Sequence, residues 1–291
     1  MKRVKKGRLQ VLQRSAIAEQ LQSPLLQLPG ELRNRIYELA LSSEVPLVFH
    51  SGGYRKRSIF SVDAPTSPNE PVEFNQIKFT CRQLYIETAC LESKSSQLTF
   101  RGRRISASPE PAQLFNKFLE ATSVSKRSWL TQVTLDQISG CFGAINIIGN
   151  PSHLRPVAQF ARSNPRARID YTTCEFGSHN VDVMPGFLPM FTQTSRFMKT
   201  GIWLTHLARS IDLRGIIPAG KSYLPDEYMF YHHADQPNRR FEWLNVPNLK
   251  FWPGEKVLQE NSERDLILDW ATAEVAKVCA EYAKIWIKNG I

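Results

Sequence analysis

What this chain of 291 residues lacks excludes whole classes of chemistry. Its five cysteines (Cys81, Cys90, Cys141, Cys174, Cys279) are dispersed and include no Cys-x-x-Cys pair. An odd, scattered set is neither a disulfide framework nor a structural zinc site. It fits reduced thiols in the cytoplasm or nucleus, mostly serving as small buried hydrophobes. No apolar run approaches the roughly 18 residues of a spanning helix, so no membrane association is expected. The basic N-terminus carries no continuous apolar h-region, so no signal peptide is expected either. There is no Gly-x-Ser-x-Gly elbow to activate a serine and no repeat of fixed period. Acidic residues are missing from the start: Lys2, Arg3, Lys5, Lys6, Arg8 and Arg14 all precede Glu19, the first acid. The net charge of +10 is therefore concentrated there, and the remainder is only mildly basic. That head reads as a nuclear-localisation patch, a nucleic-acid contact or a solvated tail.

What is present is an ordinary globular composition, 42% apolar and 22% charged, with enough chain for one large domain or two. Residues 1–22 form a basic lead. Pro29–Leu41 reads as a helix with Pro29 in its first turn, Leu28 packing back on it, and Leu32, Ile36, Leu39 and Ala40 on one apolar face. Val45–His50 and Ser58–Val62 flank a Gly-Gly turn and predict a β-hairpin, followed by a loop with three prolines. A second helix is expected over Asn75–Ser93, with Ile77, Cys81, Leu84, Thr88 and Leu91 as its stripe, and then a strand at Ser96–Phe100. Further on, helices near Pro111–Ser123 and His153–Ser163 alternate with strands near Thr131–Leu135, Ala144–Ile148 and Arg168–Cys174. That alternation suggests helix-covered strands with some parallel pairing. A helix around Thr194–Leu207 interrupts an otherwise aperiodic stretch. A long C-terminal helix starts at a capping-box-like Ser262-Glu263-Arg264-Asp265, carries the stripe Ile267, Ala271, Val275, Val278, Tyr282 and Ile285, and ends at Gly290.

Four local patterns resemble reactive or ligand-binding sites. Gly215–Ser222 satisfies the phosphate-loop pattern G-x-x-x-x-G-K-[ST], but Pro225 falls where the following helix would have to begin. His232 and His233 are adjacent, so they point in different directions and ligate one metal poorly. Cys174 and His179 have no third group to orient them. The glycines Gly140 and Gly143 precede a strand, the reverse of a dinucleotide loop. Basic clusters at Tyr54–Arg57 and Arg101–Arg104 could contact phosphates if they converged with the N-terminal head. No cofactor, metal or catalytic residue is assigned.

The strongest pattern is Leu25-Leu26-x-Leu28-Pro29-x-Glu31-Leu32-Arg33-x-x-Ile36-Tyr37-x-x-x-Leu41, followed by Phe79-Thr80-Cys81-Arg82-Gln83-Leu84-Tyr85-x-Glu87-Thr88 and a strand ending in Phe100. This pair of blocks, in this order, resembles the F-box-like proteins of fungi over roughly residues 23–135. In an F-box, three closely spaced helices dock on the small adaptor subunit of a cullin-type ubiquitin ligase. The resemblance implies that Leu25, Leu28, Pro29, Leu32 and Ile36 form a protein-binding surface for that adaptor. Here residues 42–74 stand between the two helices. The expected fold is α+β: a lead over 1–22, an F-box-like module over 23–105 with a hairpin and second helix, and an α/β region over 106–291 with a long C-terminal helix. The expected function is a non-enzymatic protein-interaction protein, a substrate adaptor of a ubiquitin ligase in the cytoplasm or nucleus. The alternatives are a nucleic-acid-associated nuclear protein and a nucleotide-binding protein working through Gly215–Ser222.

Overall fold

Two prolines set the entry into the fold. The computed structural model describes residues 23–52, 58–62, 71–102, 109–137, 151–172, 201–202, 204–205, 208–211, 241–252 and 273–291. Pro24 opens a one-turn helix, α1 (Pro24–Gln27), which the sequence pattern presents only as an apolar lead-in. Pro29 lies one position before the next helix, α2 (Gly30–Ala40), rather than in its first turn. The residue before a proline is driven to extended geometry. Leu28 accordingly has ψ 148°, and Pro29 follows at ψ 147° while its carbonyl accepts the N–H of Arg33 at 3.1 Å. Glu31 in the first turn complements the helix dipole.

The fold is α+β, and the chain divides into two units, Met1–Gln97 and Leu98–Ile291. In the first unit the expected hairpin forms from β1 (Leu47–His50) and β2 (Ile59–Val62), antiparallel with Phe49 opposite Phe60. Those rings lie 5.3 Å apart. The second helix, expected to run unbroken from Asn75 to Ser93, is three pieces: a 3-10 turn Ile77–Phe79, α3 (Arg82–Thr88) and α4 (Glu92–Ser95). Polar side chains compete locally for the backbone and break it. Asn75 Oδ1 accepts the Lys78 N–H at 3.3 Å, Thr80 Oγ1 donates to the Ile77 carbonyl at 2.9 Å, and the extended Cys81 caps α3 by accepting the Leu84 N–H at 3.5 Å. Cys90, at φ 70°, makes the second break. The stripe survives both breaks: Ile77, Cys81, Leu84 and Leu91 pack with Tyr37 and Leu41, and Thr88 is buried.

In the second unit β3 (Leu98–Gly102), β4 (Gln132–Gln137), β5 (Arg168–Thr172) and β6 (Leu249–Trp252) pair in parallel, each with the next. Helices α5 (Pro111–Ala121) and α7 (Leu154–Ser163) make the first two crossovers, with the short α6 (Val124–Arg127) between them. The registers align Leu98, Val133, Ile169 and Leu249, and next to them Phe100, Leu135, Tyr171 and Phe251, all at most 1% exposed. Phe100 meets Phe115 edge-on at 5.1 Å, and Phe115 meets Phe160 at 5.3 Å, so one face of the sheet is closed by α5 and α7. The strands alternate, and their other face is polar. Arg101 pairs with Asp136 at 3.0 Å, and Asp170 receives Arg168 at 2.8 Å and the Trp252 indole N–H at 2.6 Å.

The C-terminal helix, α8 (Ala273–Asn289), buries a different line from the expected one. Val278 and Ile285 are exposed, whereas Cys279, Ala280, Ala283 and Trp286 are buried. Small residues at Cys279 and Ala283 allow close approach, and Trp286 packs against Gly201, where any side chain would overlap its ring. Gly290 ends the helix at φ 69°, as the pattern predicts, and Ile291 exchanges both backbone hydrogen bonds with Phe251 at 2.8 and 3.0 Å. The lead 1–22, the strand Ala144–Ile148 and the capping box at Ser262 fall outside the described residues. So does much of Thr194–Leu207, although residues 201, 202, 204 and 205 are helical. Among the described residues no helix is long and apolar enough to cross a membrane.

Candidate protein-docking site

Helix α2 carries two possible inward faces, and the structure buries the one that the apolar pattern does not favour. Leu32, Ile36 and Leu39 are exposed at 53%, 40% and 66%, and Ala40 and Pro29 are exposed as well. The inward face is Arg33, Tyr37 and Leu41, spaced i, i+4, i+8, with Tyr37 at 0% and Leu41 at 2%. Of the five residues expected to bind a partner, the structure places Pro29, Leu32 and Ile36 on the outside, joined by Leu39. Leu25 packs on the Tyr37–Leu41–Leu84 cluster, and Leu28 is half-buried.

A single carboxylate on α3 gathers the polar groups of the face that turns in. Arg33 forks onto Glu87, Nε to Oε2 at 3.1 Å and Nη2 to Oε1 at 2.9 Å. The Tyr37 hydroxyl donates to Glu87 Oε2 at 2.7 Å, and Gln83 Nε2 donates to Oε1. Glu87 thus accepts four hydrogen bonds, the full capacity of a carboxylate. The remaining arm of Arg33, Nη1, donates to the carbonyls of Leu28 at 2.6 Å and Leu26 at 3.2 Å and so holds α1 against α2. Burial alone would raise the Glu87 pKa, but the bonds from Arg33, Tyr37 and Gln83 outweigh it and keep the carboxyl below its usual range. Burial, reinforced by the bond to Glu87, pushes the Tyr37 phenol up to about 12. Both shifts favour one state, an anionic Glu87 between a cation and a neutral phenol.

A second polar cluster lies under the hairpin side of this unit. Lys78 Nζ is 3.0 Å from Glu73 Oε2 and 3.9 Å from Glu92 Oε1, and Asn75 Nδ2 donates to Glu92 Oε2 at 2.9 Å and the Thr88 carbonyl at 2.8 Å. Burial raises the pKa of Glu92 despite these partners. Two carboxylates flank an ammonium here, an internally satisfied structural arrangement. Among the described residues no group of three His, Cys, Asp or Glu side chains could hold a metal ion.

The other candidates separate cleanly. Arg101 is engaged by Asp136, while Arg103, Arg104 and Arg55–Arg57 lie outside the described residues. Gly215–Ser222, His232, His233, Cys174, His179, Gly140 and Gly143 also lie outside them. Sequence reasoning missed Glu87 as the partner of α2. The signal was indirect: Arg33 and Tyr37 stand four apart on one side of a helix, as do Gln83 and Glu87 on another, so each pair shares one face. No protein-family model, curated protein or solved structure matches the chain.

Proposed function

We propose that this chain is a non-enzymatic protein-interaction protein that docks, through the outward stripe of α2, on the adaptor subunit of a cullin-type ubiquitin ligase. The observation that supports this reading is the exposure of Leu32, Ile36 and Leu39 at successive helical positions on a helix whose opposite face is fully engaged. Such a stripe suits an apolar cleft that accepts side chains at i, i+4 and i+7. Leu32 and Ile36 belong to the block that resembles the F-box-like families, which selects the adaptor as the partner.

The magnitude is modest but sufficient for one contact in a larger interface. With 53%, 40% and 66% of their surface still in water, the three side chains retain about half of the ~2 kcal/mol that each would gain on burial, or roughly 3 kcal/mol together. The test is co-purification of the adaptor with wild-type protein and with Leu32→Asp plus Ile36→Asp. Both positions are solvent-exposed, so the double variant keeps its helical circular dichroism and loses the adaptor. Failure of the wild-type protein to retain the adaptor would sink this reading.

A further inference from the structure

We propose that Glu87 is the positioning residue of the docking helix: by gathering Arg33 and Tyr37 onto one carboxylate, it fixes the orientation in which α2 presents Leu32, Ile36 and Leu39. The proposal rests on the docking function above and adds to it a residue outside the stripe. Tyr37 and Leu41 hold α2 down by burial, which is non-directional and leaves a helix able to roll or slide on its neighbours. The Arg33–Glu87 fork, at 2.9 and 3.1 Å, is directional and specifies one roll angle. Arg33 also bonds the carbonyls of Leu26 and Leu28, so the same carboxylate sets α1 relative to the stripe. The groups that act on Glu87 are Arg33 and Tyr37 from α2 and Gln83 from its own helix. The stripe itself is aliphatic, so its bearing comes from the opposite side of the helix.

The test uses the full chain as wild type, Glu87→Gln and Leu84→Ala, with purified ligase adaptor as the probe. Leu84→Ala weakens the same core cluster without touching the carboxylate, so it reports what lost stability alone does to binding. The expected result is adaptor affinity at least ~10-fold weaker for Glu87→Gln and within ~3-fold of wild type for Leu84→Ala. In parallel, hydrogen exchange of the α2 amides is followed from pH 7 into the carboxylate range. Wild-type protection should fall there by at least ~10-fold more than that of Glu87→Gln, which starts low and keeps only the smaller acid step that Glu38, paired with Lys94 at 2.8 Å, contributes in both proteins. Equal loss of affinity in the two variants, or the same acid step with and without Glu87, would overturn the proposal. If wild-type protein does not bind the adaptor at all, the docking function fails, and the exchange step alone then decides for or against Glu87.

Discussion

Replacing Tyr37 with Phe removes one oxygen from the centre of the first unit and leaves the rest of the side chain in place. The ring is fully buried against Leu41 and Leu84, so its packing is retained and no cavity larger than a hydroxyl opens. What is lost is a 2.7 Å hydrogen bond to an ionised carboxylate, a class of bond worth about 1.5–3 kcal/mol. Glu87 keeps Arg33 and Gln83, so no buried acceptor is stranded and the cost falls at the low end, about 1.5 kcal/mol, or roughly tenfold in the opening equilibrium. All six tryptophans belong to the Leu98–Ile291 unit, so a probe inside the first unit reads the effect more directly than indole fluorescence. The assay is hydrogen exchange at the Leu41 amide, which donates to the Tyr37 carbonyl at 2.8 Å. The pH dependence sharpens it in both directions. The Glu87 pKa is depressed by folding, so its contribution is present above the ordinary carboxylate value and is lost as pH falls through the folded one. The gap between wild type and variant therefore narrows in acid. The Tyr37 pKa is raised from 10.0 to about 12, so its contribution is complete below pH 10 and is lost as pH rises towards 12, a loss that the Phe variant does not show. A gap under about 0.3 kcal/mol at neutral pH, or one indifferent to acid, would refute a charge-assisted bond of this kind.

Three other perturbations test the second unit. Gly201→Ala places a methyl group inside the Trp286 ring contact and should cost about 1–3 kcal/mol, lowering the fluorescence-detected melting temperature by several degrees; an unchanged midpoint would contradict the packing. Cys279 is fully buried and its thiol is pushed up to about 11, so iodoacetamide at neutral pH should label it at least ~10-fold more slowly than the half-buried Cys81 in peptide maps. Asn248 Nδ2 donates to the carbonyls of Ala161, Asn164 and Ala167 at 3.0, 3.1 and 2.7 Å. Asn248→Ala should cost about 1–3 kcal/mol in urea unfolding, and Asn248→Asp, which turns an acceptor toward three acceptors, at least as much.

Much of this architecture was legible in the sequence because it rests on local rules. The order helix, hairpin, helix, strand follows from periodicity and turn residues. The helix Pro111–Ala121 buries Leu114, Phe115, Phe118 and Leu119 as its spacing implies, and Gly290 stops the last helix. The strands Leu98–Gly102, Gln132–Gln137 and Arg168–Thr172 alternate apolar and polar residues, and the apolar set forms the face that α5 and α7 cover, while Thr99 and Asp170 on the other face are buried as well. On two helices the departures share one cause: periodicity finds a stripe but does not say which stripe turns inward. On the C-terminal helix, Cys279, Ala283 and Trp286 turn inward in place of Val278 and Ile285, with the Trp286 ring seated against Gly201. The interruption of Asn75–Ser93 depends on side-chain competition at Asn75, Thr80 and Cys81 that a stripe count ignores.

On the opening helix the same competition bears on function. Turning Leu32, Ile36 and Leu39 inward would gain aliphatic burial, but it would carry Arg33 and Tyr37 away from Glu87. That would leave a carboxylate beside the core with Gln83 as its remaining donor. Losing the Arg33 fork and the Tyr37 hydroxyl bond, each a bond to a charged group worth about 1.5–3 kcal/mol, and exposing Tyr37 and Leu41 together cost more than the roughly 3 kcal/mol of aliphatic transfer that the outward stripe forgoes. Glu87 and the burial of Tyr37 and Leu41 together turn the helix this way round. The two blocks of the motif are therefore coupled physically as well as in sequence: Arg33 and Tyr37 in the first have their partner, Glu87, in the second. The aliphatic residues between them stay in water because the polar residues beside them do not.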